Sequence, residues 1–181
     1  EEIKISDFEG KVVLVDFWTY TCVNCIRTLP YLTSWHEKYA DKGLVVIGVH
    51  SPEFEFEKET ENVQKAMGKY GIEYIVVQDN EHATFNAYKS RFWPRKFLLD
   101  SEGYIRYDHI GEGGYEETEM KMQELLEEIG QEADLDLTEE QTETRRPITP
   151  ELYAGVLFAL PREQFIGNKK TVDRLEDYAL P

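Results

Sequence analysis

The chain has 181 residues, 41% hydrophobic and 31% charged, with twelve Gly and seven Pro. This suits one ordinary globular domain with an appendage, and excludes wholesale disorder and collagen-like structure. Of the net charge of −16, most falls in residues 112–143, which hold thirteen acids and a single base, Lys121; that is the pattern of a solvated helix face and linker, and nothing like the clustered Lys and Arg that nucleic acid requires.

The longest apolar run, around Tyr153–Leu160, is far short of the roughly 20 residues that span a bilayer. No basic then apolar leader opens the chain, which begins at Glu1 and reads as a mature or trimmed product. The β-branched run Lys11–Phe17, broken only by Asp16, predicts a buried strand. After Cys22, the residues Ile26, Leu29, Leu32, Trp35 and Tyr39 recur every three or four positions. They predict a helix that ends at Asp41-Lys42-Gly43 and is kinked by Pro30. Leu44–Val49 reads as a second buried strand. Phe56, Val63, Met67 and Tyr70 mark a further helix stopped by Gly71. Tyr74–Val77 predicts a third strand and Ala83–Tyr88 a short helix. Arg95–Leu99 and Tyr104–Ile110 predict strands joined by a turn at residues 100–103. Tyr115–Ile129 predicts a helix capped by Gly130.

This order, with a closing hairpin and helix, predicts an α/β fold with a central mixed sheet flanked by helices. The expected domain covers residues 1–130. An acidic linker follows over 131–146, then a C-terminal extension over 147–181. In that extension Leu152, Tyr153, Val156, Leu157, Phe158, Leu160 and Phe165 form an apolar cluster too small to be a domain.

Chemistry concentrates at Cys22-Val23-Asn24-Cys25, the only two cysteines in the chain. A CxxC between a buried strand and a helix places its first sulfur at the helix N-terminus. There, unpaired N–H groups and the macrodipole favour a thiolate. The second sulfur, one turn on and less exposed, can close a disulfide. Zinc would need a second ligand pair, and His36, His50, His82 and His109 stand singly, so no metal or other cofactor is expected.

The stretch Val15-Asp16-Phe17-Trp18, Cys22–Cys25 and Pro30 resembles the thioredoxin superfamily. The longer string Phe17–Leu32 is similar to its TlpA/ResA-type branch, and closest to the thioredoxin-like domains of DipZ-type membrane proteins. Supporting stretches are Gly48–Phe54, Val77–Asn80, Asn86–Tyr88, Phe92-Trp93-Pro94 and Gly111–Tyr115. The likeness covers about residues 1–130. Two positions depart from thioredoxin: Thr21 stands where Trp usually precedes the first cysteine, and the intervening dipeptide is Val-Asn rather than Gly-Pro.

The resemblance implies a thioredoxin fold and a thiol–disulfide oxidoreductase in which Cys22 attacks and Cys25 resolves. It implies that Asp16 is the buried acid that takes the Cys25 proton. It also implies that Pro94 is a cis-proline facing the sulfurs, with the Trp93 backbone offered to substrate. Trp18 and Tyr20 are expected at the rim around Cys22, with Glu53, or Glu55 if the alignment slips by two, near the cysteines. His36 reads as structural. The implied partners are disulfide-containing proteins and a membrane thiol donor of the CcdA/DsbD kind, outside the cytoplasm and linked to the membrane. Two other readings stay open on the residues: a redoxin-type thiol peroxidase, and a non-catalytic module that recruits a basic partner through its acidic segment.

Overall fold

The computed structural model describes residues 3–133 and 136–139. The C-terminal extension, its apolar cluster and residues 140–146 of the expected linker lie outside them.

Five strands form one sheet: β1 Val12–Trp18, β2 Leu44–His50, β3 Ile75–Gln78, β4 Arg95–Leu99 and β5 Ile105–Ile110, in the spatial order β3-β2-β1-β4-β5. β1 runs parallel to β2 and antiparallel to β4, and every one of its residues is buried. That central position explains its unbroken apolar run, since a strand covered on both faces has no solvent side to alternate with. Gly48 sits opposite Asp16 in the register. A Cβ there would come within 3.0 Å of the Trp18 indole nitrogen and 3.2 Å of the Tyr74 ring, so only glycine lets the two aromatics close over β2.

The helices are α1 Val23–Tyr39, α2 Thr60–Tyr70, α3 Ala83–Ala87 and α4 Tyr115–Glu128. On one face of the sheet, Val12, Leu14, Trp18 and Leu98 pack with Leu29, Leu32, Trp35 and Tyr39 of α1 and Met122, Leu125 and Leu126 of α4. On the other, Val13, Val15, Phe17, Ile47, Val49 and Phe97 pack around Phe85 of α3. Pro30 lies inside α1 at an exposed position, and Gly71 ends α2 in the left-handed conformation, φ 65°. None of the helices among the described residues is long and apolar enough to cross a membrane.

Two expectations change. Phe56 is not part of α2: it lies in a separate 3-10 turn, Glu55–Lys58, and is exposed. The folded unit also runs past Gly130. Ala133 is fully buried in the core, and the Thr138 N–H and hydroxyl bond the Glu119 carboxylate of α4 at 2.7 and 3.1 Å. Lys38 of α1 bonds the Asp136 carbonyl at 2.9 Å. The acidic stretch is anchored here because Glu119 is buried, and its charge needs donors that α4 alone cannot supply.

Candidate active site

β1 ends at Trp18, and α1 begins at Val23 with Cys22 as its N-cap. Cys22 is half-buried, and its Sγ accepts the Cys25 N–H at 3.4 Å. A hydrogen bond from the Cys25 thiol, then the N–H groups of Cys25 and Asn24, lower the Cys22 thiol to about 7 against the opposing effects of burial and the Glu53 charge. Cys25, one turn on, is 1% exposed, and burial pushes its thiol well above the ordinary range, with the Cys22 sulfur and Asp16 adding to the rise. Both cysteines are free thiols. The pair is thus split into one sulfur ready to attack at neutral pH and one that needs a base.

Asp16 is fully enclosed in β1, and neither of its carboxylate oxygens has a hydrogen-bond partner among the described residues. Burial raises it from 3.8 to about 7; Lys96 opposes the rise and Cys22 adds to it. Lys96 is its direct partner across the β1–β4 register and is 1% exposed. The two side chains therefore stand on the same face, behind Cys25. An acid that titrates near neutrality beside a high-pKa thiol is suited to take that thiol's proton.

The Trp93–Pro94 peptide is cis, and the Trp93 carbonyl lies 3.9 Å from Cys22 Sγ. The Trp93 ring has partners of its own. It stacks on Phe85 at 4.7 Å and donates to the Ser51 carbonyl at 3.0 Å, which leaves its backbone facing Cys22. Tyr20 is half-exposed, stacks on His50 at 5.5 Å and donates to the Phe56 carbonyl at 3.2 Å.

One expected rim residue is elsewhere. Trp18 is fully buried in the core, edge-on to His50, because strand alternation turns it onto the same covered face as Asp16. Glu53 is exposed, and its charge acts on the Cys22 thiol, as a residue near the cysteines would; Glu55 is exposed too and pairs with Lys58 at 2.9 Å. The carboxylate built into the site is Glu57, which is fully buried and accepts the Thr21 hydroxyl and the N–H groups of Glu53 and Phe54 at 2.6 and 2.9 Å. Burial would raise Glu57, but bonds from Thr19, Thr21, Phe54 and Glu53 outweigh it and hold the carboxyl below its ordinary value. Under it, burial lowers His50 to about 4, so its ring is neutral. Sequence reasoning missed Glu57, Lys96 and His50. Only Lys96 left a signal, as a cation running straight into the apolar Phe97-Leu98-Leu99 that could answer the lone Asp16. Among the described residues, no three His, Cys, Asp or Glu side chains lie together as a metal site.

The redoxin family model matches residues 1–126. The chain belongs to the redoxin family. It is 41% identical over 158 residues to Protein DipZ of Mycobacterium tuberculosis, covering 85% of this chain and 23% of that protein. It is 31% identical to the thiol-disulfide oxidoreductase ResA of Halalkalibacterium halodurans, across 74% of this chain and 70% of ResA. A putative thiol:disulfide interchange protein DsbE from Chlorobium tepidum superposes with a TM-score of 0.61 at 28% identity, over 71% of this chain and 86% of that one. The chain therefore spans about a quarter of the DipZ proteins it matches. The described domain thus has a thioredoxin fold and a CxxC dithiol, and its similar proteins include a thiol-disulfide oxidoreductase and a putative thiol:disulfide interchange protein.

Proposed function

We propose that this redoxin-family domain reduces protein disulfides, with Cys22 as nucleophile and Cys25 as resolving thiol. The observation that carries the reading is the division of the pair: an accessible sulfur lowered to about 7 at a helix N-terminus, and a buried one raised beside Asp16. The Cys22 thiolate attacks one sulfur of the substrate disulfide. The S–S bond breaks, the departing thiolate takes a proton from solvent, and a mixed disulfide remains. Asp16 then takes the Cys25 proton. The Cys25 thiolate attacks Cys22 Sγ and expels the second substrate sulfur as a thiolate, which takes a proton from solvent while Asp16 gives up the one it holds. The substrate gains two electrons and two protons, and Cys22–Cys25 is left as a disulfide. Pro94 and the Trp93 carbonyl line the approach to Cys22, where an extended substrate segment would lie.

The likeness to DipZ supports an extracytoplasmic domain, membrane-linked in the full-length protein and recharged by a membrane thiol donor of the CcdA/DsbD kind. It also supports a domain order in which this oxidoreductase unit is followed by the linker and, from residue 147, by the start of another domain. Insulin reduction with dithiothreitol as electron source tests the activity. Wild type should turn over and Cys22→Ser should not. Equal turnover by the two would refute exchange at Cys22. Peroxide consumption faster than disulfide reduction, and retained without Cys25, would make it a thiol peroxidase instead.

A further inference from the structure

Four exposed apolar side chains stand on three segments around Cys22: the start of α1, the loop before Pro94 and the loop after β2 that bonds Tyr20 and Thr21. Val23 follows it directly and is 56% exposed; Phe92, 52% exposed, lies just before Trp93-Pro94. Phe54 and Phe56, 50% and 53% exposed, lie on the loop after β2 with their rings stacked at 5.6 Å and only 4° from parallel. This loop is not free to swing. Tyr20, two residues before Cys22, donates its hydroxyl to the Phe56 carbonyl, and the buried Glu57 carboxylate ties the Glu53 and Phe54 N–H groups to the Thr21 hydroxyl. Two phenyl rings are thus held out in water on a loop bonded to Tyr20 and Thr21, the two residues before the attacking cysteine, at a cost that a loop built only for connection would avoid by turning them inward.

The covalent step dictates what covers them. Any disulfide attacked by Cys22 must bring its sulfur to Sγ, so the segment carrying it passes beside these loops. We propose that the stacked Phe54–Phe56 pair is the substrate-selecting surface of this domain. It takes an apolar or aromatic side chain next to the target cysteine of an extended polypeptide, and Glu57 is the positioning residue that holds the pair in place. Exposed Glu53, Glu55 and Glu59 flank the pair, and of these Glu55 is matched by Lys58. The surface therefore favours a segment with a basic residue near the disulfide over an acidic one. The inference rests on the disulfide-exchange reading above and adds to it which disulfides are chosen.

The test compares wild type, Phe54→Ser/Phe56→Ser and Glu57→Gln, as full chains, on insulin and on hydroxyethyl disulfide, a small uncharged substrate that cannot reach the rings and the sulfur at once. The double variant should raise KM for insulin about tenfold with kcat unchanged, as expected when a binding contact made equally in ground and transition states is lost. Its turnover of hydroxyethyl disulfide should match wild type. Glu57→Gln, which keeps an acceptor oxygen, should also raise the insulin KM, by less than the double variant does. In wild type, a peptide disulfide flanked by Phe and Lys should outcompete one flanked by Phe and Glu. Unchanged insulin KM in the double variant overturns the proposal, including the case where the variant only converts a dimer to monomer. Equal slowing on both substrates also overturns it, because the loop would then be structural. Failure of wild type on both disulfides would instead refute the exchange reading itself.

Discussion

Replacing Asp16 by Asn should make the protein more stable and a worse enzyme at once. Asp16 is fully buried, with neither oxygen hydrogen-bonded among the described residues, and its carboxyl is raised from 3.8 to about 7. In the unfolded chain it ionises normally, so below about pH 4 it is protonated in both states and costs nothing. Between about pH 4 and 7 only the unfolded chain releases the proton, and stability falls as pH rises. Above about 7 the full penalty is present, worth about 4 kcal/mol at about 1.36 kcal/mol per pH unit. Asn has nearly the same shape and no charge. It removes the penalty, in which the opposing attraction of Lys96 is already counted, but puts a buried amide in the carboxyl's place, which returns part of the gain. Urea unfolding of the reduced proteins should therefore show Asp16→Asn more stable by about 2–4 kcal/mol at pH 8, with the difference vanishing near pH 4. In quenched-flow traps the same variant should form the mixed disulfide at a near-normal rate and release it slowly, because the Cys25 proton has lost its acceptor. A stability gain that does not depend on pH would refute the buried-carboxylate account. Equal slowing of both half-reactions would refute the proton-transfer role.

Cys22 should be alkylated by limiting iodoacetamide long before Cys25, with a rate that rises with pH and inflects near 7, where its thiolate forms. Peptide mapping that finds Cys25 labelled first would reverse the two roles. A chain cut after Gly130 should fold and turn over, but be less stable by about 2–4 kcal/mol than one cut after Glu139. It loses the buried Ala133 and two of the donors to the Glu119 carboxylate. Coincident urea midpoints for the two truncations would show that residues 131–139 only rest on the domain.

The sequence by itself determined the order of elements, because burial leaves a local record. The unbroken run of β1 reports a strand covered on both faces, and the three-to-four spacing from Leu29 to Tyr39 reports a helix with one covered side. It also located the dithiol, because CxxC at a strand–helix junction has a chemical use that depends only on the local chain direction and the helix end. Asp16 was legible for the same reason, as a charge where the pattern allows none. What tertiary structure alone decided are matters of pairing. Glu53, Glu55, Glu57 and Glu59 alternate along one short stretch and look equivalent, yet only Glu57 is turned inward, because Thr21 and two N–H groups meet it there. Lys96 meets Asp16 through a register between strands eighty residues apart, which no local pattern encodes. Trp18 reads as a rim aromatic from its place near Cys22, but the pleat of β1 sends it into the core. The acidic stretch after Gly130 reads as linker by composition, and is held to the domain by the buried Ala133, by Lys38 on the Asp136 carbonyl and by the buried Glu119 carboxylate, whose need for donors appears only once α1 and α4 are packed together.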